Sequence, residues 1–419
     1  MEQICPKCGA AIPVTEGYPV WCDKCDWGVK LNERPRKTNI FTKAYDKLSK
    51  QQAEGIYKDV IKNNVKPLVL PPATLLAYAI ALAVTLITLL FVAFSIYIVG
   101  FTVVEWSSWR TPPTACLGIM MLPLLLGLAW FLRPELGRMP RIYLSRAEAP
   151  NLYSLSDRIA DELKAKHIEA IVLSPIYNAG YKQVGVFRRP VMTLGLPLLI
   201  ASSPQEIVAC ISHEIAHGVN GDPNRTLLLG GAIQSLKRWY FLLSPEGAIR
   251  IPIFGLIVAA IMYVISSVPR LLALALTHLT YPTMQRSEYY ADALGAKVSG
   301  AEFAISSLRK TELADNFYQV AKRTWDRRRA RPLSVWNEFR DYLVSLPARE
   351  YERFIHAQSK LEMRLDDSHP PTHFRVLALQ GSPDRHLAPK IVLSPEEYNK
   401  IIAETNPFEK QLEIALMND

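Results

Sequence analysis

Cysteine is scarce in this sequence, with six residues in a chain of 419. Six cysteines are too few for the disulfide scaffold of a secreted protein of this length. Four of them form two Cys-x-x-Cys pairs, a pattern typical of reduced thiolates that bind a metal ion. Residues 1–66 also lack the apolar core of a signal peptide. The sequence therefore predicts a cytoplasmic N-terminus.

Recognisable nucleic-acid-binding motifs are absent as well, although the formal charge of +9 would suit a nucleic-acid partner. Hydrophobic residues make up 49% of the chain, and the mean hydropathy of +0.07 is high for a wholly soluble protein. The apolar residues are gathered in blocks, and the basic residues lie mainly outside them. This distribution indicates an integral membrane protein that faces anionic lipid head groups. We expect a lipid bilayer as a partner and no nucleic acid.

The two cysteine pairs fall within residues 1–30, separated by enough chain for a short hairpin. Two such pairs can place four thiolates around one structural zinc ion, and metal binding would supply folding energy that so small a segment lacks. A redox-active pair is the alternative, but no βαβ pattern surrounds either one. The sequence thus predicts a zinc ribbon, a kind of module that often binds a protein partner. The predicted zinc ligands are Cys5, Cys8, Cys22 and Cys25.

Residues 31–66 are interpreted as a basic linker and residues 67–133 as a transmembrane hairpin. The uncharged run Pro67–Val104 exceeds the roughly 20 residues needed to span a bilayer, and Thr114–Leu132 makes a second span. Glu105–Arg110 marks a turn at head-group level. Lysines precede the hairpin and arginines follow it, so the positive-inside rule places both of its ends in the cytoplasm.

Residues 150–380 have the pattern of a globular domain, followed by a C-terminal extension at 381–419. Asn178–Gly180 has the composition of a turn between the first two of three predicted strands. The spacing of Ser203 and Glu206 predicts a capping box that opens the next helix. The predicted strands are Ile168–Leu173, Lys182–Phe187 and Val191–Leu194.

That helix carries the motif His213-Glu214-Ile215-Ala216-His217. The two histidines are four residues apart, so they share one face of the helix and can bind one metal ion. Glu214 can reach a metal-bound water without being a ligand. Zinc lowers the pKa of such a water towards about 7, and Glu214 would take its proton as it attacks a peptide carbonyl. Two histidines merely packed on a helix are the alternative interpretation.

A catalytic zinc requires a third protein ligand. The extended motif HExxHxxGxxH is absent, because Asn220 and Pro223 occupy its last two key positions. The segment Arg286–Asp292 offers carboxylates instead, since Glu288 and Asp292 are again four residues apart on a predicted helix. One of them can bind the metal while the other accepts a hydrogen bond from a ligand histidine.

Three motifs in this order resemble the membrane metallopeptidases related to HtpX and the CAAX prenyl proteases: HEIAH, EYYAD and SHPPTHFR, the last from Ser368 to Arg375. The resemblance covers residues 152–379 and the preceding hairpin. It implies a zincin-type domain, mainly α-helical with a small β-sheet, attached to transmembrane helices. The N-terminal zinc ribbon is not part of the family pattern. The family also binds substrate main chain along a strand edge, here among Lys182–Leu194.

The resemblance also implies roles for individual residues. Glu214 is the catalytic base and Asp292 supports the site. His369 and Arg375 help to stabilise the oxyanion that forms on the substrate carbonyl. The implied ligands of the catalytic zinc are His213, His217 and Glu288.

The apolar sequence within residues 226–279 raises a topological constraint. If His217 and Glu288 bind one zinc ion, the chain between them crosses the membrane an even number of times. A single span at Ile251–Val268 would leave Glu288 on the wrong side. We therefore expect Thr226–Leu243 to cross too, or neither segment to cross, and we favour two crossings.

The sequence thus predicts a zinc metalloendopeptidase in the cell inner membrane or an equivalent membrane, with its catalytic domain in the cytoplasm. It would hydrolyse peptide bonds of membrane or misfolded proteins. One alternative is a processing protease for prenylated C-termini. The other is a non-catalytic membrane adaptor that recruits partners through its zinc ribbon.

Overall fold

The structure is a computed structural model that describes residues 2–30, 40–63, 72–105, 122–123, 125–132, 137–245, 254–327, 333–364 and 369–418. These residues are mainly helical with two small sheets, which confirms the predicted fold class. The predicted head-group turn at 106–110 and the first part of the second span lie outside the described residues; residues 125–132 are helical.

The helices and strands are named in chain order. The helices are α1 Ile40–Asn63, α2 Pro72–Glu105, α3 Pro150–Leu163, α4 Leu196–Ala201, α5 Pro204–Val219, α6 Asp222–Leu243, α7 Phe254–Ser299, α8 Ala301–Lys310, α9 Ala314–Arg327, α10 Val335–Ser345, α11 Ala348–Gln358, α12 Thr372–Gln380, α13 Pro395–Thr405 and α14 Glu409–Asn418. The strands are β1 Glu2–Ile4, β2 Ala11–Pro13, β3 Ala170–Ser174, β4 Ala179–Val184 and β5 Arg189–Gly195.

The chain divides into two compact units. The apolar unit comprises residues 69–137 and 222–283, and the globular unit comprises residues 1–68, 138–221 and 284–419. Residues 381–418 therefore belong to the globular unit, together with the three motifs and the cysteine pairs.

Two helices that begin in the apolar unit suit a bilayer, and the second of them, α7, continues into the globular unit. Among the described residues, two helices are long and apolar enough to cross a membrane, within Pro72–Ile98 and Ile257–Ser299. Most of their apolar side chains are exposed, an arrangement that water would disfavour and lipid would not. Pro269 and Pro282 lie inside α7 without ending it, as membrane helices tolerate. The protein is therefore a membrane protein.

Small residues allow the helices of the apolar unit to pack closely. Ala77 and Ala81 on α2 and Ala232 on α6 are completely buried in one cluster. Trp239 Nε1 on α6 donates a hydrogen bond to Thr88 Oγ1 on α2, 3.2 Å away. Such contacts stabilise helix pairs in lipid, where no hydrophobic driving force acts between apolar helices.

The globular unit has its core between α3, α5 and a three-stranded sheet of order β3-β5-β4. Strand β5 is parallel to β3 and antiparallel to β4. The predicted turn at Asn178–Gly180 is partly wrong, because Ala179 and Gly180 begin β4, which runs to Val184 instead of Phe187. Backbone pairing with Leu194 and Thr193 of β5 overrides the local turn preference of these residues.

The N-terminal residues form a β1–β2 hairpin whose four cysteines cluster, an arrangement compatible with a zinc ribbon. Cys5 Sγ lies 3.5 Å from Cys25 Sγ, and Cys8 Sγ lies 3.6 Å from Cys22 Sγ. Four Zn–S bonds of about 2.3 Å in tetrahedral geometry separate the sulfur atoms by about 3.8 Å. The cluster therefore fits a zinc ion closely.

The second cysteine knuckle packs on α11. Trp21 is buried there, its ring 5.1 Å from the ring of His356. Arg349 Nη2 donates to the Trp21 carbonyl oxygen at 2.7 Å, and His356 Nδ1 lies 3.0 Å from Asp26 Oδ1. This face of the ribbon is thus occupied by the chain itself.

Candidate active site

Helix α5, which carries the HEIAH motif, is anchored at its first turn. The predicted capping box is confirmed: the Ser203 backbone N–H donates to Glu206 Oε2 at 2.7 Å. Gln205 Nε2 donates to the carbonyl oxygens of Ser299 and Ile391, at 3.0 and 2.8 Å. The first bond caps the start of α5, and the bonds of Gln205 fix α5 against the end of α7.

A glycine brings α7 close to the motif. A Cβ atom at Gly295 would lie 3.3 Å from the backbone nitrogen of His213, so a larger side chain would force the helices apart. At the other end of the contact, Asn220 Nδ2 donates to Ser287 Oγ at 2.6 Å. Glu288 and Asp292 therefore face the two histidines of α5 across a short gap.

The structure brings the three predicted zinc ligands together. Their ligand atoms all lie within 4.8 Å of one another. His213 Nε2 is 3.2 Å from His217 Nε2, and the two Glu288 oxygens lie 3.7 Å from His213 Nε2 and 3.6 Å from His217 Nε2.

These distances fit a zinc ion. Tetrahedral bonds of about 2.0–2.2 Å to nitrogen and oxygen hold neighbouring ligand atoms about 3.3–3.5 Å apart. Two imidazoles and one carboxylate form a donor set that leaves a fourth position open, as catalytic zinc sites do.

Asp292 connects His213 to a buried arginine. His213 Nδ1 lies 3.0 Å from Asp292 Oδ1, so the ring can donate there and leave Nε2 for a metal. Arg375 donates to both oxygens of the same carboxylate, from Nε at 2.7 Å and from Nη2 at 2.6 Å. Burial disfavours the charged guanidinium, but the carboxylates of Asp292 and Glu288 outweigh this and raise the pKa of Arg375 above its ordinary value.

Glu214 and His369 border the cavity at this site. The cavity has a volume of about 280 Å³ and is lined by His213, Glu214, Asp292, His369 and Arg375, among others. Glu214 is buried at its wall and is not one of the clustered ligands. His369 is 60% exposed, and its Nδ1 lies 2.8 Å from Glu288 Oε2.

Strand β4 runs beside the motif helix. It is an edge strand, since in the described sheet its only neighbour is β5. The ring of Tyr181 on β4 lies against Gly218 on α5, where a Cβ would approach the Tyr181 hydroxyl to 2.6 Å. Asn178 and Ala179, at the start of β4, line the cavity. The sequence alone left the choice of strand edge open, because alternation of residues does not show which strand lies at an edge.

The fold and the site together indicate a membrane-bound zinc metallopeptidase. Residues 146–382, more than half of the chain, match the family model described as "Peptidase family M48". The chain belongs to this family. It is similar to a protein named "Protease HtpX homolog" from Pyrobaculum calidifontis, with 27% identity over 251 residues, which cover 56% of this chain and 68% of that protein. The chain is thus an HtpX-like member of family M48. No solved structure matches it.

Sequence reasoning missed two contacts that position the site. The bond from Asn220 to Ser287 has no signal in a single sequence, because the two residues are 67 positions apart. The two hydrogen bonds from Arg375 to Asp292 were also missed. Their opposite charges could have indicated an ion pair, because the motifs that contain them were assigned to one site.

Proposed function

We propose that this protein is a zinc endopeptidase that hydrolyses peptide bonds of membrane or misfolded proteins at the cytoplasmic face of the membrane. The observation that carries the proposal is the convergence of His213, His217 and Glu288 beside a cavity walled by Glu214. An endopeptidase must accept a polypeptide that continues on both sides of the cleaved bond. The edge of β4 beside this cavity could bind such a segment as an added strand.

His213, His217 and Glu288 would hold the catalytic zinc. When bound, zinc supplies a Lewis acid that polarises the peptide carbonyl and acidifies water. Glu214, next to the first ligand histidine, takes the proton from the attacking water and passes it to the leaving amine. Asp292 keeps the Nδ1 proton on His213, so that Nε2 faces the metal.

We assign different tasks to His369 and Arg375. His369 is exposed and lines the cavity, and a ring N–H of His369 can be donated to the oxygen of the substrate carbonyl as negative charge develops. Arg375 donates to both carboxylate oxygens of Asp292 and lies 3.4 Å from Glu288 Oε2, so we assign it mainly a positioning role.

Metal content tests the proposal directly. We expect about two zinc ions per chain, one in each site. Cys22→Ser should remove the structural ion and His217→Ala the catalytic one, each leaving about one. His217→Ala alone should also abolish hydrolysis of an unfolded protein. Metal analysis and a proteolysis assay on the same samples give both results. A wild-type value near one, or activity without the His217 ligand, would contradict this assignment.

Membrane topology provides a separate test. We propose that α6 and the first part of α7 both cross the bilayer, which keeps His217 and Glu288 on the cytoplasmic side. A cysteine introduced at Glu246, between these helices, should then react with an impermeant maleimide added outside the cell. A cysteine at Val344, which is 89% exposed in the globular unit, is the matched control and should react only after the membrane is opened. Labelling of position 246 only from the cytoplasm would rule out the second hairpin.

A further inference from the structure

The turn between β4 and β5 exposes two neighbouring apolar side chains. Val186 is 75% exposed and Phe187 is 79% exposed, and they occupy the outermost part of the hairpin. We call residues 185–188 the hairpin tip. A tip of this kind normally carries glycine, proline or small polar residues that favour a turn, and an exposed phenylalanine buries little apolar surface. Neither side chain is explained by packing or by the proposed chemistry.

The charges around the tip are mainly basic. Arg188 and Arg189 follow Phe187 directly, and Lys182 is exposed on β4. The guanidinium of Arg189 lies 5.9 Å from the Phe187 ring, and Arg189 Nε is 3.6 Å from Glu169, the acidic partner at this end of the sheet. Apolar side chains flanked by arginine and lysine are the composition that binds the interface of an anionic bilayer.

A short piece of chain connects the second predicted membrane span to a residue that packs near the tip of this hairpin. Met139 packs against Val184 of β4 and Val191 of β5. The predicted span ends at Leu132, only seven residues earlier, and seven residues extend over at most about 25 Å. Arg138 and Arg141, on either side of Met139, are exposed and add to the basic charge. The length of this connection therefore permits the tip end of the hairpin to reach the membrane surface.

We propose that Val186 and Phe187 insert into the head-group region of an anionic phospholipid bilayer and anchor the hairpin there. Strand β4 then runs from the tip at the bilayer surface to the cavity at Ala179, over about 17 Å. Its open edge would receive a polypeptide segment emerging from the membrane and align it with the site. This second step rests on the proposed peptidase function, whereas the anchoring does not.

Photo-crosslinking of the full-length protein tests the anchoring without any enzyme assay. The protein carries p-benzoylphenylalanine at Phe187, or at Val344 as a matched exposed control, in nanodiscs of phosphatidylcholine with phosphatidylglycerol. We expect a phospholipid adduct by mass spectrometry at position 187 and none at 344. The adduct should weaken when phosphatidylglycerol is omitted. Adducts between two copies of the chain, or no lipid adduct at 187, would overturn the proposal.

A kinetic comparison tests the second step. Val186→Asp with Phe187→Asp should raise KM for a bilayer-embedded substrate by about tenfold or more, because the tip can no longer enter the interface. Values for a soluble unfolded protein should not change. Val344→Asp is the control and should alter neither. An equal rise for both substrates would show that the tip binds polypeptide instead of lipid. If no substrate is cleaved by the wild type, the function has failed while the crosslinking result still stands.

Discussion

Glu214→Gln is expected to lower kcat for peptide hydrolysis by about 10²–10⁴-fold, the usual contribution of a general base. Glutamine has nearly the same shape as glutamate but cannot accept a proton. Glu214 is buried at the cavity wall and lies outside the cluster of proposed zinc ligands, so the variant should keep its zinc and its fold. The measurements are the initial rate of proteolysis of an unfolded protein and the zinc content of the same preparation.

Glu206→Gln, on the same helix, provides a matched control. Glu206 accepts the hydrogen bond of the capping box, and a glutamine oxygen can accept it as well. This variant should therefore keep the wild-type kcat. If Glu214→Gln hydrolyses as fast as the wild type, Glu214 is not the base. If neither protein hydrolyses any substrate, the non-catalytic adaptor becomes the better interpretation.

The parts of the site that could be predicted are those encoded by local periodicity. His213 and His217, and likewise Glu288 and Asp292, are four residues apart, which places each pair on one helix face. The capping box at Ser203 predicted where the motif helix begins, because its hydrogen bonds join residues three positions apart.

The features that could not be predicted depend on contacts between distant parts of the chain. Asn178–Gly180 has turn composition, yet pairing with β5 draws Ala179 and Gly180 into the edge strand beside the cavity. The contact of Trp21 with His356 joins residues far apart in sequence, and neither residue carries a local sign of it. Similarly, α7 passes through Pro269 and Pro282, where local preference alone would predict breaks.

Arg375→Ala is expected to lower the free energy of unfolding of the globular unit by about 3–5 kcal/mol, the usual cost of removing one partner of a buried ion pair. Asp292 is 3% exposed and receives two hydrogen bonds from Arg375, so its carboxylate would remain buried without this compensation. Arg375→Lys should recover only part of the loss, because an ammonium group cannot donate through a planar fork. Denaturant unfolding of the purified protein in one detergent measures these differences.

Two further variants separate this buried pair from ordinary charge loss. Arg158→Ala removes an exposed pair with Glu397, whose side chains are both 41% exposed, and should cost only about 0–1 kcal/mol. The double variant Arg375→Gln with Asp292→Asn removes both buried charges and should recover most of the lost stability. Its zinc affinity should nevertheless stay about 10–100-fold below that of the wild type, because His213 no longer donates to a carboxylate. A double variant that is no more stable than Arg375→Ala would show that packing of the arginine, and not compensation of the Asp292 charge, stabilises this region.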